Sequence, residues 1–203
     1  MNLACLDLEG VLVPEIWINV AERTGIQELR LTTRDVADYD ELMRHRIRVL
    51  DAHGVKLSQI QDVIRGLGPL PGAAEFLNWL RERFQVVILS DTFYDFAMPL
   101  MAQLGHPLLL CHRLRVADDQ IVGYQLRQPN SKYEAVRAFQ ALNLRCVAAG
   151  DSYNDTAMLA QADAGILVTP PENVVREFPQ FPVAWNFDEL RDRFEEARAR
   201  LAG

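Results

Sequence analysis

The sequence predicts an α/β fold, a doubly wound and mostly parallel sheet with a small helical segment inserted after its first strand. Three observations carry this expectation. Short apolar runs rich in Val, Ile and Leu alternate with amphipathic helical patterns along most of the chain, as expected for strands buried on both faces. The alternation breaks once, between Pro14 and Pro71, where helical patterns follow one another without a convincing strand. Two apolar runs, finally, end in acids: Asp7-Leu8-Glu9-Gly10 and Gly150-Asp151-Ser152-Tyr153-Asn154-Asp155. Acids at the carboxyl ends of strands in such a sheet meet at the edge where these folds bind ligands, and they read as a divalent-metal and phosphate site.

Taken in order, residues 3–6 are the first strand. In the insert, Ile16, Trp17, Val20 and Ala21 share one helical face between Pro14 and Gly25, a Pro-start and Gly-stop arrangement. A second helix is expected over 40–52 and a third over 58–67, followed by the Gly/Pro return 66–72. An insert of this kind sits over the carboxyl edge of the sheet, where a lid belongs. Residues 73–84 carry the stripe Phe76, Leu77, Leu80 and Phe84, and strand 86–90 follows. Residues 93–104 read as a helix closed by Gly105, with Pro99 marking a kink or a late start. Next come a strand at 108–111 and a hairpin of 113–116 with 121–127 around Ala117-Asp118-Asp119-Gln120. A helix begins near Ser131. Strands at 146–149, 165–168 and 182–185 precede a last helix over 187–201.

The formal net charge of −7 argues against duplex nucleic acid or an acidic membrane surface as the main partner. Cys5, Cys111 and Cys146 all lie in apolar runs without framework spacing, which predicts reduced, buried thiols in a reducing compartment. No basic start followed by an apolar stretch appears, and no apolar run approaches membrane-spanning length. The expectation is a soluble cytoplasmic protein with no membrane partner.

Several residues carry candidate chemistry. Asp7 and Glu9 share one face of an extended chain. Asp7 can act as a nucleophile that becomes an aspartyl-phosphate, and Glu9 is near enough to serve as general acid and base. Ser90, at the end of its strand, can donate to a phosphate oxygen, and the N–H groups of Asp91 and Thr92 near a helix start add anion-binding capacity. Lys132 begins a helix and can meet phosphate as a point charge. Asp151 and Asp155, four apart with Asn154 beside them, form the sparse oxygen set that Mg²⁺ favours. In the second helix of the insert, Arg46 falls inside the apolar stripe of Tyr39, Leu42, Met43, Ile47 and Leu50. A charge there needs a partner. Each residue also has a plainer reading: Ser90 as a helix cap, Lys132 as a surface lysine, Asp155 as first-turn decoration, Asp7 with Glu9 as a strand-end turn, and Arg46 as a side chain that snorkels to water or pairs with a core acid.

The joint order is more specific: an acid pair, a Ser after a strand, a Lys, then Gly-Asp-x-x-Asn-Asp after a strand. In Asp7-Leu-Glu9-Gly10-Val-Leu, Val-Ile-Leu-Ser90, Lys132 and Gly150-Asp151-Ser-Tyr-Asn154-Asp155, the chain resembles the haloacid-dehalogenase superfamily over nearly its whole length. It looks most like the phosphoserine phosphatases, and among them the bifunctional type that also passes the phosphoryl group from phosphoserine to homoserine.

The resemblance implies a Rossmann-like catalytic core formed by residues 1–13 and 71–203, and a helical cap formed by 14–70. It implies Asp7 as phosphorylated nucleophile and Mg²⁺ ligand, with Glu9 as acid/base that also gives a backbone carbonyl to the metal. It further implies phosphate binding by Ser90 and Lys132, a Mg²⁺ ligand in Asp151, and Asp155 with Asn154 holding the metal's surroundings and orienting Lys132. Glu15 and Arg46 match the cap positions that read the substrate ammonium and carboxylate. The implied partners are the small molecules phosphoserine and homoserine.

Two departures stand out. Glu9 replaces the usual Asp, moving the carboxyl group by more than about 1 Å, and Ser90-Asp91-Thr92 replaces the usual Ser-Gly-Gly, bringing an acid close to the phosphate. Competing readings are another small phosphomonoester as substrate, a catalytically weak phospho-ligand sensor, and a receiver-type signalling domain; the helical insert and the Gly-Asp-x-x-Asn-Asp stretch argue against the last.

Overall fold

The computed structural model describes residues 1–32, 35, 36 and 38–202. Its centre is a seven-stranded sheet whose inner strands are the predicted apolar runs. Strand β1 (Asn2–Leu6) is followed by three helices of the insert, α1 (Ile16–Thr24), α2 (Tyr39–Ala52) and α3 (Leu57–Arg65), with a short 3-10 turn at Gln27–Arg30. Then come α4 (Ala73–Arg81), β2 (Gln85–Phe93), α5 (Tyr94–Gln103), β3 (Leu108–Ala117), β4 (Gln120–Gln125), α6 (Ser131–Ala141) and β5 (Arg145–Gly150). The chain ends with α7 (Thr156–Gln161), β6 (Ala164–Val168), α8 (Glu172–Glu177), β7 (Val183–Ala184) and α9 (Phe187–Leu201).

The strand order is β4-β3-β2-β1-β5-β6-β7, parallel throughout except for the β3–β4 hairpin. The chain winds outward from β1 first through β2 and β3, then through β5, β6 and β7. The topological switch therefore lies at β1, and the crevice beyond its carboxyl end is the expected ligand site.

Alternate residues of the inner strands serve two cores. Ala4, Leu6, Ile88, Val147 and Ala149 face the layer containing Phe76, Phe96 and Phe194 of α4, α5 and α9. Leu3, Cys5, Val87, Leu89, Cys146 and Ala148 face Ala135, Val136, Met158 and Leu159 of α6 and α7. That two-sided burial is why the strands read as continuous apolar runs rather than alternating ones. The three cysteines are free and buried. Among the described residues, no helix is long and apolar enough to cross a membrane.

The insert leaves β1 through a turn in which Leu12 N–H and Val13 N–H both donate to the Leu8 carbonyl. Gly25 closes α1 in the left-handed region at φ 75°, and the Asp38 side chain caps α2 by accepting from Glu41 N–H. The start of α3 is tied to the tip of the β3–β4 hairpin: Leu57 N–H donates to the Asp119 carbonyl at 2.8 Å and Ser58 N–H to its carboxylate at 3.0 Å. Gln61 of α3 also donates to the Asp95 carbonyl in α5 at 2.9 Å.

Several elements differ from the sequence expectation. β2 continues past Ser90 to Phe93, with its pairing to β3 irregular after Leu89. Asp91 and Thr92 thus belong to a distorted strand end rather than to the first turn of α5, because Thr92 and Phe93 bury their side chains. The strand expected at 108–111 and the first arm of the hairpin are one strand, joined through the buried His112. α5 runs through Pro99. The 3-10 turn at Gln27–Arg30 and α8 are too short to show a period in sequence.

Candidate active site

The carboxyl ends of β1, β2 and β5 and the start of α6 bring Asp7, Ser90, Asp151 and Lys132 to one crevice. They line a cavity of about 320 Å³ whose other walls include Glu9, Glu15, Trp17, Tyr39, Arg46, Asp91, Thr92, Asp155's neighbour Asn154 and Thr169. Sheet and insert therefore contribute to the same cavity, and every sequence-predicted site residue lies on it or directly behind it.

Asp7 follows β1, with its N–H bonded to the Ala149 carbonyl of β5 at 2.9 Å. Its carboxylate accepts from Leu8 N–H at 2.7 Å and pairs with Lys132 Nζ at 2.9 Å. Lys132 is buried and also donates to Asp155 Oδ1 at 2.7 Å. Asp155 lies behind the cavity, where its second oxygen accepts from the backbone N–H groups of Asp151 and Ser152 at 3.0 and 3.2 Å. Burial works against the charge on Lys132, but Asp155, Asp7 and Asp91 hold its pKa well above the ordinary lysine value.

Asp7, Asp151 and Asp155 each offer a carboxylate oxygen, and these atoms lie within 4.8 Å of one another. Burial, with the neighbouring Asp155, raises the pKa of Asp7 well above the carboxylate range and that of Asp151 to about 7. One ammonium thus leaves the three carboxylates under-neutralised, and a hard divalent cation fits an oxygen-only donor set of this kind. Two glycines make room for the Asp151 and Asp155 side chains. Gly10 has φ +77°, and a Cβ there would stand 2.5 Å from Asp151 Oδ2; a Cβ on Gly150 would collide with Asp155.

Glu9 shows what its extra methylene reaches. Its Oε2 accepts from Ile16 N–H at 2.8 Å, so it caps the first helix of the insert from the sheet side, a role that Glu15 at the N-cap position leaves open. Burial and the nearby Glu15 push the Glu9 pKa up to about 7, while the Ile16 N–H, Arg46 and Thr92 oppose the rise. An acid poised near neutrality can both give and take a proton at working pH.

Arg46 is buried within the apolar stripe of α2. Its guanidinium lies 4.5 Å from the Trp17 ring centroid, and its Nη2 donates to the Leu31 carbonyl at 2.8 Å. Its Nε has no hydrogen-bond partner, and among the described residues no carboxylate lies within ion-pair distance of it. Burial lowers its pKa to about 10, against Glu9, Tyr39 and Glu15, so it stays charged at neutral pH. Of the plainer reading of Arg46 as the partner of a core acid, the described residues show only the attraction of Glu9 and Glu15 through space, with no carboxylate in ion-pair contact.

Asp91 does not stand bare beside the cavity. It accepts from Ser131 Oγ and from Asn154 Nδ2, each at 3.1 Å, with His112 Nε2 at 3.5 Å and Lys132 Nζ at 3.7 Å. Burial alone would raise its pKa, yet Lys132, His112 and Asn154 hold it well below the usual carboxylate range. Arg127 N–H donates to His112 Nδ1 at 3.1 Å, so a neutral His112 carries its proton on Nε2, the nitrogen facing Asp91. Ser90 is buried, and its Oγ accepts from Thr92 N–H at 3.3 Å. Tyr39 donates to the Asp91 carbonyl at 2.9 Å, tying α2 to β2. As residues of the site, His112, Ser131 and Tyr39 escaped the sequence reading, and Thr92 entered it only through its backbone N–H. The one available signal was the acid after Ser90, which had to find donors somewhere.

A family model described as haloacid dehalogenase-like hydrolase matches residues 1–163. Phosphoserine phosphatase ThrH of Pseudomonas aeruginosa is 62% identical over 201 residues, covering 98% of each chain. A phosphoserine phosphatase of Pseudomonas syringae pv. tomato is 63% identical over 201 residues, 98% of this chain and 85% of that one. In fold, the chain is similar to a solved phospho-aspartyl intermediate analogue of phosphoserine phosphatase, with a TM-score of 0.78 at 20% identity over 96% of this chain and 98% of that one.

Proposed function

From the premise that the chain belongs to the haloacid dehalogenase-like hydrolases, we propose that it is a Mg²⁺-dependent phosphoserine phosphatase that also transfers the phosphoryl group to homoserine. The observation that carries this reading is the cavity itself. Asp7, Ser90 and Lys132 line it from the sheet and Arg46 with Glu15 from the insert; in this reading the first group grips the phosphate and the second takes the carboxylate and the ammonium. The names of the P. aeruginosa and P. syringae relatives support the substrate.

Residues 14–70 act in this reading as a cap over a core formed by 1–13 and 71–203. Arg46 holds the substrate carboxylate and Glu15 the ammonium. Ser90 and Lys132 hold the phosphate, and Asn154 steadies that end through Asp91. The Asp7 carboxylate attacks phosphorus while Glu9 protonates the departing serine oxygen, leaving an aspartyl-phosphate. Glu9, now a carboxylate, takes the proton of the incoming hydroxyl, which attacks phosphorus and returns Asp7 to its free form. Asp7, Asp151 and Asp155, with the Glu9 backbone carbonyl, would hold Mg²⁺. When bound, Mg²⁺ neutralises phosphate charge and fixes the in-line arrangement. Exhaustive chelation is expected to remove activity and added Mg²⁺ to restore it; full activity in the metal-stripped protein would refute the metal requirement. The free, buried cysteines support a cytoplasmic setting.

Homoserine enters the argument through the emptied pocket. Arg46 and Glu15 can grip any α-amino acid, so once serine leaves, homoserine can bind there with its hydroxyl directed at phosphorus. Positioning of this kind can reach an effective molarity of roughly 10⁵ M, far above that of bulk water. The test supplies phosphoserine, among a panel of phosphorylated metabolites, with and without excess homoserine, and follows products by ³¹P NMR. Phosphohomoserine is expected beside inorganic phosphate. Phosphate as the sole product at every homoserine concentration would leave plain hydrolysis, and turnover of other phosphomonoesters in preference to phosphoserine would reassign the substrate.

A further inference from the structure

We infer that Asp91 is a positioning residue whose charge weakens the hold of the site on inorganic phosphate, so that the product is released rather than retained. The inference rests on the reading above, in which Lys132 and Ser90 bind phosphate.

The geometry gives Asp91 two properties that pull in opposite directions. Its carboxylate lies 3.7 Å from the ammonium of Lys132, the cation facing the phosphate end of the cavity. Lys132 already serves Asp7 at 2.9 Å and Asp155 at 2.7 Å. A third carboxylate is therefore not needed to hold the lysine in place; its effect is to spend more of the lysine's field before a phosphate arrives. A negative group beside a dianion also repels it, and at such separations in a partly buried site this repulsion is not screened away.

The second property is that Asp91 cannot escape that role by protonation or rotation. Ser131, Asn154 and His112 surround it with donors, and Arg127 fixes the His112 tautomer that aims a proton at it. The acid is thus built in as a charge, at a place where a neutral residue would leave Lys132 freer for phosphate. A site that passes a phosphoryl group onward gains from this. Loosely held phosphate leaves the cavity to the next substrate, whereas Arg46 and Glu15, contributed by the insert, keep their grip on amino acids.

The test measures inhibition by inorganic phosphate during Mg²⁺-supported turnover of p-nitrophenyl phosphate, and phosphate binding by calorimetry. Asp91→Asn keeps the shape and removes the charge, and is expected to bind phosphate roughly tenfold tighter, equivalent to about 1.4 kcal/mol. Asp91→Gly removes charge and side chain together and is expected to move in the same direction, which keeps the test open should the first variant fold poorly. A purely structural role predicts the reverse, since disturbing Lys132 weakens phosphate binding. Phosphate affinity unchanged or reduced in variants that still turn over the substrate would overturn the inference alone. Equal tightening in Ser131→Ala, which alters the packing at Asp91 but no charge, would also overturn it. Failure of the parent protein to turn over p-nitrophenyl phosphate or to bind phosphate would instead overturn the reading on which it rests.

Discussion

Replacing Asp7 with Asn is expected to lower kcat for phosphoserine by roughly 10⁴-fold or more, the scale on which loss of a covalent nucleophile acts. The amide keeps the size of the side chain but removes the attacking charge. Its effect on folding should be of the opposite kind. Asp7 is buried, and burial together with Asp155 drives its pKa well above the carboxylate range, so at neutral pH its charge costs stability in the metal-free protein. Asn removes that cost, while Lys132 keeps Asp155 at 2.7 Å. The melting temperature of the metal-free variant is therefore expected to hold or rise while activity disappears. Rapid quench with ³²P-labelled substrate should trap a phosphorylated protein in the parent and none in the variant. Substantial activity in Asp7→Asn, or a phosphorylated intermediate persisting in it, would sink the covalent route.

How much of this was legible in the sequence differs between the fold and the site. The inner strands β1, β2, β5 and β6 announce themselves because both of their faces are buried; Leu3 to Leu6 serve two different cores in alternation, so no polar residue interrupts the run. The helices α4 and α9 show their stripes for the same physical reason, one buried face each. Where burial is local, the signal fades. Thr92 and Phe93 extend β2 because they are buried there, and nothing in their immediate sequence separates that from a helix start. His112 looked like a break between two strands because a histidine in an apolar run is ambiguous until its partners are known. They come from Arg127 and Asp91, 15 residues away along the chain in one case and on a different strand in the other.

The same limit applies to the acids. The order of Asp7, Ser90, Lys132 and Asp151 could be read because each follows or begins a recognisable element, and strand order then brings them together at the switch point. Glu9 at the acid/base position was visible as a departure, but its compensation was not. That the longer arm would reach Ile16 N–H depends on the angle at which the insert leaves β1, a consequence of the turn at Leu8 to Val13. The donors around the acid that follows Ser90 were likewise not legible in one dimension, since they come from α6, β3 and the loop after β5.

Arg46→Lys carries the second large expectation: the KM for phosphoserine should rise by roughly tenfold to more than a hundredfold, with that for p-nitrophenyl phosphate changing little. The guanidinium is already held from two sides, by the Trp17 ring at 4.5 Å and by the Leu31 carbonyl at 2.8 Å, while its Nε is left without a partner. This is a preorganised donor with capacity to spare, facing a cavity that also contains Glu15. A carboxylate matches the planar fork of Arg with two parallel bonds, and hydrogen bonds to charged groups are worth about 1.5–3 kcal/mol each. Lysine keeps the charge but loses the fork and stacks poorly on the indole, so the substitution is conservative in charge alone. p-Nitrophenyl phosphate has no carboxylate for Arg46 to hold, which makes the ratio of the two KM values the decisive quantity. A loss of similar size with both substrates, accompanied by a lowered melting temperature, would show that the buried arginine supports the packing of α2 against α1 rather than reading the substrate. A selective loss with the melting temperature preserved would assign it to recognition, and adding Glu15→Gln should then compound the defect for amino-acid phosphates while still sparing the aryl phosphate.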